Sequence, residues 1–244
     1  MEALDRLLGT LFPARCVGCG RPPAALCSAC IGGARRVARS AATATAPPPP
    51  VDRWVAVFAY EGAIREALAR LKYRNARSVL PVLAALLVER LREEPLGGVD
   101  VVTWPPTTAV RRRQRGFDQA ERLARAVGRG LDVPVRACLV RQAGPSQTGR
   151  SARERRRGPV FRSGPVAGLR VLVVDDVATT GATVAAAAQA LRSAGAGWVG
   201  AATVARTPRR IGPAATSAAD RSPPPQAALA GRRNQLMRWN APHP

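Results

Sequence analysis

Apolar and polar positions follow two alternating periods along the chain, and these predict strands and helices in turn. Period-two alternation and short apolar runs predict strands at residues 53–60, 99–104, 133–140, 169–177 and 197–205. Apolar residues that recur every three or four positions predict helices at residues 62–73, 79–94, 118–131 and 183–195. Strands separated by helices of this length imply right-handed crossovers, so the predicted fold class is α/β, a parallel sheet with helices on both faces. Such a sheet binds its ligand at the carboxyl ends of its strands.

Four of the five cysteines fall in two C-x2-C pairs, Cys16 with Cys19 and Cys27 with Cys30. Two such pairs can supply four thiolates to one centre, which is a tetrahedral donor set that Zn2+ accepts. Disulfides are disfavoured in a chain without an export signal, and a redox C-x2-C motif has no need of a duplicate. The spacing therefore predicts a closed, structural zinc knuckle at residues 11–34.

Composition divides the rest of the chain into three segments. Residues 35–50 end in a proline run and are expected to form an extended linker. Residues 51–206 hold the predicted α/β domain, in which Cys138 is expected to be a core residue without a chemical role. Residues 207–244 have no apolar periodicity and are expected to be disordered.

Two features of the sequence bear on where in the cell the protein is located. No apolar run reaches the ~18 residues of a membrane span. The acidic residues Glu2 and Asp5 stand where a secretory signal would be basic. We therefore expect a cytoplasmic protein without membrane insertion.

The formal net charge of +22 at pH 7 is typical of proteins with a phosphate-rich partner. Almost all of the positive charge is arginine, because Lys72 is the only lysine. Abundant arginine, alanine and proline also arise from GC-rich coding sequence, so the charge alone leaves contact with DNA or RNA open.

The most specific chemistry lies in the stretch VLVVDDVATTGATV, residues 171–184. Asp175 and Asp176 end its apolar strand, where two carboxylates are costly unless they meet hydroxyls, amides or a metal ion. The loop that follows consists of Ala178, Thr179, Thr180, Gly181, Ala182 and Thr183. It leads into a helix N-terminus, whose free N–H groups favour an anion, so the stretch is typical of a site for a sugar phosphate.

Two other interpretations of this stretch compete with a sugar-phosphate site. The first is the Walker B strand of an ATPase, but no Walker A sequence occurs in the chain. The second is an ordinary strand with an acidic cap on the next helix.

These residues resemble the signature of type I phosphoribosyltransferases for phosphoribosyl pyrophosphate (PRPP), with four apolar positions, paired acids and a phosphate loop. The resemblance implies that Asp175 and Asp176 are the catalytic-site residues that bind the ribose hydroxyls. It also implies that residues 178–183 bind the 5'-phosphate and that Mg2+ binds with PRPP. The implied reaction is attack of an amine on ribose C1 as pyrophosphate leaves.

Three features narrow the resemblance to ComF-like proteins, which are associated with competence and DNA uptake. They are the four-cysteine knuckle, the segment RRRQRGFDQAERLA at residues 111–124, and the segment QTGRSARERRRGPVF at residues 147–161. The second resembles the family's R-G-F-[ND]-Q segment and the third its mobile loop. By this resemblance, pyrophosphate or mobile-loop contacts are expected from Arg111, Arg113, Arg115, Gln147 and Arg153.

The resemblance leaves two functions open. One is transfer of a phosphoribosyl group to an acceptor that the sequence does not identify. The other is a non-catalytic adaptor that binds single-stranded DNA or a DNA-translocating ATPase of the competence system.

Overall fold

A computed structural model describes residues 14–41, 49–73, 77–142 and 158–207. The predicted disordered tail beyond residue 207 lies outside these residues. Gln147 and Arg153, which were expected in a mobile loop, also lie outside them.

Within the described residues, four parallel strands form one sheet. These strands are β1 (Arg53–Ala59), β2 (Val101–Thr103), β5 (Arg170–Ala178) and β6 (Trp198–Arg206). Their order in the sheet is β1-β6-β5-β2. Strand β2 is shorter than β5, and its last residue, Thr103, pairs with Val173 in the middle of β5. The last five residues of β5 therefore extend past the end of β2, and the chain that follows β2 faces them.

Helices cover both faces of this sheet. The helices of the described residues are α1 (Ser28–Ala41), α2 (Gly62–Tyr73), α3 (Leu80–Arg92), α4 (Ala109–Arg115), α5 (Gln119–Leu131) and α6 (Ala182–Ser193), with a 3-10 turn (Arg77–Val79) before α3. All of them except α4, which has no buried residue, pack on the sheet or on its other helices. Alternate residues of β5 enter two separate cores: Leu172 packs with α2, α3 and α5, and Val173 packs with α6. Since successive strand residues point to opposite faces, this alternation places one core on each side of the sheet. The predicted α/β class with a doubly covered parallel sheet is confirmed.

The strand predicted at residues 133–140 is wrong over most of its length. The backbone of Val102 bonds with Pro134 and Arg136 at distances of 2.9 and 3.0 Å, but this ladder is a single bridge. Proline has no N–H to continue a ladder, which favours a short pairing here. The chain then forms β3 (Leu139–Arg141), which pairs antiparallel with β4 (Phe161–Ser163) outside the main sheet.

Helix α1 continues to Ala41, so residues 35–41 of the predicted linker are helical rather than extended. These residues are mostly alanine and arginine, which have high intrinsic helix propensity. The proline run that suggested an extended linker begins only at residue 47.

Candidate functional site

The four N-terminal cysteines converge, as their spacing predicts. Their Sγ atoms all lie within 4.8 Å of one another, with Cys16 Sγ 3.8 Å from Cys30 Sγ and Cys19 Sγ 3.7 Å from Cys27 Sγ. Four thiolates at the usual Zn–S distance of about 2.3 Å from a tetrahedral zinc lie about 3.8 Å apart. The donor set therefore fits Zn2+ and fills all four positions with protein sulfur.

The environment of Cys16 favours a thiolate. Burial acts to raise its pKa, but backbone N–H groups of Cys19, Cys27 and Gly18 outweigh burial and lower the pKa of Cys16 to about 6. The N–H groups of Gly18 and Cys27 each lie 3.4 Å from the sulfur. Because a metal binds the deprotonated sulfur, this arrangement prepares a ligand.

The knuckle packs directly on α2. Cys16, Val17 and Leu26 are buried in the same core as the apolar face of that helix. A Cβ added to Gly18 would lie 2.8 Å from the Cβ of Ala63, so only glycine permits this close approach. The position of α2 is thus coupled to the geometry of the knuckle.

A cavity of about 610 Å3 lies where β5 extends past β2. Its walls come from the C-terminal end of α2, the chain between β2 and α5, strand β3, and the end of β5. The predicted site residues that line it are Asp175, Asp176, Thr183, Arg111 and Arg115. The cavity is at the carboxyl end of β5, where a parallel sheet is expected to bind its ligand.

The two acids of β5 have different environments. Asp176 is only 6% exposed, and its Oδ2 lies 3.0 Å from Nζ of Lys72. This contact is an ion pair between two side chains that line the cavity. Asp175 accepts the N–H of Asp176 through Oδ1 at 2.8 Å. Burial, and next the charge of Asp176, raise the pKa of Asp175 well above its ordinary value.

The predicted phosphate loop joins β5 to α6 at the rim of the cavity. Thr183 lines the cavity, whereas Thr179 and Thr180 are exposed. Gly181 is the N-cap of α6, with φ of 80°, and it provides no side-chain cap. The N–H of Ala182 donates to Thr180 Oγ1 at 3.3 Å. The N–H groups that follow it in the first turn receive no cap from Gly181, so this end of α6 is suited to an anion.

The segment Arg115-Gly-Phe-Asp-Gln119 turns the chain from α4 into α5. Gly116 ends α4 in the left-handed region, with φ of 73°, and Asp118 then caps α5. Asp118 Oδ1 accepts the N–H groups of Ala120 and Glu121, at 3.1 and 3.4 Å. These contacts give the acidic residue of the segment a definite structural role at the cavity.

Gln119 follows this cap and is 3% exposed in the cavity wall. Its Oε1 accepts a hydrogen bond from Arg115 Nη1 at 3.0 Å. Among the described residues, its Nε2 has no hydrogen-bond partner. A buried donor without an acceptor is costly, so this amide group is suited to an acceptor atom of a ligand.

Arginines bring positive charge to the cavity, though not all the predicted ones do so. Arg111 and Arg115 are four residues apart on one face of α4 and both line the cavity. Arg113 is on another face and exposed, and it does not line this cavity, so its contact with pyrophosphate stays a prediction. Arg141 of β3 lines the cavity as well, and burial, then the charge of Arg111, lower its pKa.

Sequence reasoning missed two of the charged residues in the cavity, Lys72 and Arg141. Lys72 could have been singled out from the sequence, since it is the only lysine among 38 lysine and arginine residues. Arg141 carried no such signal, because one arginine is not distinctive in this chain.

Comparison with known proteins bears on the same region. The family model for the phosphoribosyl transferase domain matches residues 114–220, a range that holds both acids and the loop through Thr183. The chain is 33% identical to the DNA utilization protein YhgH of Salmonella typhi over 161 residues. This matched segment covers 62% of this chain and 71% of that relative. It is 31% identical over 143 residues to the competence protein ComFC of Streptococcus pneumoniae, covering 58% of this chain and 62% of that relative.

Solved structures also match. The allosteric regulatory enzyme of purine biosynthesis is similar to this chain at a TM-score of 0.37 and 24% identity, over 52% of this chain and 26% of that one. In the described part of the chain, no helix combines the length and apolar character that crossing a membrane requires.

Proposed function

Because this chain belongs to the family of the DNA utilization protein YhgH and the competence protein ComFC, we propose that its cavity binds PRPP or a related ribose 5-phosphate. The family names support an association with competence and DNA utilisation. The observation that carries the ligand proposal is one cavity lined by a carboxylate pair, a helix N-terminus and several arginines.

The carboxylate pair suits the ribose. Asp175 and Asp176 are adjacent at the cavity wall, and ionised carboxylates accept hydrogen bonds from hydroxyl groups strongly. The 2'- and 3'-hydroxyls of a ribose are neighbouring donors, which matches two neighbouring acceptors. In this proposal the acids hold the sugar and orient C1 toward the cavity.

The start of α6 suits the 5'-phosphate. Gly181 provides no side-chain cap for α6, so the N–H groups of its first turn beyond that of Ala182 remain for an anion, and Thr183 adds a hydroxyl at the cavity wall. Both the N–H groups and the dipole of a helix favour an anion at this end. A phosphate bound there lies within the same cavity as the acids.

The arginine side of the cavity suits pyrophosphate. Arg111, Arg115 and Arg141 supply positive charge, and the buried Nε2 of Gln119 supplies a donor that has no acceptor among the described residues. Mg2+ is proposed to arrive with PRPP, where oxygen ligands of the pyrophosphate and ribose suit a hard cation. It would offset the charge of the leaving pyrophosphate.

If the site is catalytic, the bond from ribose C1 to the pyrophosphate oxygen breaks as a bond from C1 to an acceptor nitrogen forms. The arginines stabilise the negative charge that develops on the departing pyrophosphate. The acids stabilise positive charge that develops on the ribose ring. The acceptor in this proposal is an amine or a nucleobase.

Contact with single-stranded DNA is a second candidate function. It is favoured by the exposed Arg112 and Arg113, beside the cavity on a helix with no buried residues, and by the net charge of +22. Attraction to a phosphate backbone weakens steeply as salt rises. An adaptor bound to a DNA-translocating ATPase would use such a surface without any turnover.

One assay separates these candidates. Pyrophosphate release from PRPP is measured with Mg2+ against a panel of nucleobases and amines, beside calorimetric titration of PRPP alone. Release with one acceptor supports transfer, and PRPP binding without release supports a non-catalytic ligand site. If PRPP does not bind and single-stranded DNA does, in a salt-dependent way, the second candidate is supported instead.

A further inference from the structure

The ion pair between Lys72 and Asp176 joins two parts of the chain that are distant in sequence. Lys72 is at the C-terminal end of α2, and its Nζ lies 3.0 Å from Oδ2 of Asp176. The lysine side chain is 21% exposed and the aspartate side chain 9% exposed. Both residues line the cavity, so the pair belongs to the site and not to the outer surface.

The charge of Asp176 needs compensation. Among the described residues, its Oδ2 is buried without a hydrogen-bond partner, so the lysine ammonium is the charge that stands against it. Removing one partner of such a pair leaves an uncompensated buried charge, which is strongly unfavourable. Asp175 adjoins the same aspartate and adds to the local negative charge.

The type of cation also matters. An ammonium group is a compact point charge, whereas a guanidinium group binds a carboxylate through two parallel hydrogen bonds. The contact of Lys72 is with Oδ2 of Asp176. A point charge on one oxygen compensates the acid without enclosing the carboxylate on both sides.

We propose that Lys72 is the built-in counter-cation of the acid pair, so that the ribose end of the ligand binds without a divalent cation. The site therefore takes ribose 5-phosphate, which lacks the pyrophosphate group, equally well with and without Mg2+. This inference rests on the proposed function, because it assigns the acids to the ribose. It makes Lys72 a positioning residue that acts through Asp176.

The test compares the affinity for ribose 5-phosphate with and without Mg2+ by titration calorimetry. Magnesium is removed from the buffer beforehand and no chelator is added, because a chelator would compete with the four cysteines for zinc. The wild-type ratio of the two dissociation constants is expected to be near one. In Lys72→Met the ratio rises on the order of tenfold, because a divalent cation then has to compensate the acids.

Two variants control this result. Lys72→Arg keeps the positive charge and is expected to keep a ratio near one, because any change in affinity caused by the shape of the guanidinium group is the same in both buffers. Arg70→Met removes a positive charge from the same helix, where Arg70 pairs with the exposed Glu66, and should also leave the ratio near one. A purely structural role of Lys72 would weaken binding equally in both buffers and leave the ratio unchanged in every variant.

The outcomes separate this inference from the proposed function. A wild-type protein that binds ribose 5-phosphate only with Mg2+, or a Lys72→Met variant with an unchanged ratio, overturns the role of Lys72 and leaves the ligand proposal standing. If the wild type binds neither ribose 5-phosphate nor PRPP, the proposed function fails.

Thermal unfolding tests the role of Lys72 as a counter-cation without any ligand. Lys72→Met should lower the melting temperature, and adding Asp176→Asn should recover most of the loss, because the double variant has no uncompensated charge. If the double variant is no more stable than Lys72→Met alone, the role of Lys72 as counter-cation is overturned.

Discussion

The carboxylate of Asp118 ties the chain after β2 to the start of α5, since its Oδ2 accepts the N–H of Thr107 at 2.8 Å. The other oxygen of the same carboxylate caps α5. One buried side chain thus fixes both the helix and the loop that form one wall of the cavity.

The double role of Asp118 predicts two separable effects. Asp118→Ala should cost about 1–2 kcal/mol of unfolding free energy, measured by urea denaturation, because the cap and the loop bond are both lost. Asp118→Ser can still cap α5 but is too short to reach Thr107 as well. We expect Asp118→Ser to recover much of the stability, but both variants should bind PRPP more weakly than the wild type, because neither holds the loop at Thr107. Wild-type PRPP affinity in Asp118→Ser would argue against a role for the loop bond.

The four-cysteine cluster predicts one Zn2+ per chain, detected by elemental analysis of the purified protein. Cys27→Ser should lose the metal and lower the melting temperature, because a structural zinc site contributes directly to folding. Cys138→Ala is the matched control and should retain the zinc. Cys138 is buried in the core as predicted, and burial raises the pKa of its thiol. A metal-free wild-type protein would refute the zinc site.

The raised pKa of Asp175 predicts that this residue destabilises the fold at neutral pH. A carboxyl whose pKa is higher in the folded chain contributes stability below its ordinary value of 3.8, and that contribution is lost as pH rises through the folded pKa. Asp175→Asn should therefore raise the melting temperature at pH 7 by a few degrees. The difference should shrink as pH approaches 3.8, and a difference independent of pH would contradict this assignment.

The unpartnered Nε2 of Gln119 predicts a selective loss of affinity. Gln119→Leu should weaken PRPP binding by roughly tenfold, because a hydrogen bond to a charged phosphate group is worth about 1.5–3 kcal/mol. Its affinity for ribose 5-phosphate should stay unchanged, since that ligand lacks pyrophosphate. Calorimetry with both ligands checks this, and an equal loss for the two would place Gln119 elsewhere in the site.

The sequence predicted the elements of the central sheet well, because these elements are apolar. Strands β5 and β6 and the helices α2 and α5 form within one or two residues of their predicted bounds. Helix α4 was missed, since it has no buried residue and hence no apolar period to detect. It forms because Thr108 caps one end and Gly116 ends the other.

The site was predicted in part for a similar reason. Asp175 and Asp176 belong to one contiguous motif, so their proximity needed no knowledge of the fold. Lys72 and Arg141 reach the same cavity from distant elements, and only the packing of α2 and β3 brings them there. No local pattern encodes that contact.

The central claim, that the acid pair holds the ribose of PRPP, is tested most directly by calorimetric titration with PRPP and Mg2+. The variant Asp175→Asn with Asp176→Asn should keep the fold, judged by circular dichroism, and bind PRPP at least several-fold more weakly than the wild type. Glu66→Gln with Glu93→Gln removes two exposed charges and should bind like the wild type. Equal PRPP affinity in the wild type and the aspartate variant would contradict the account.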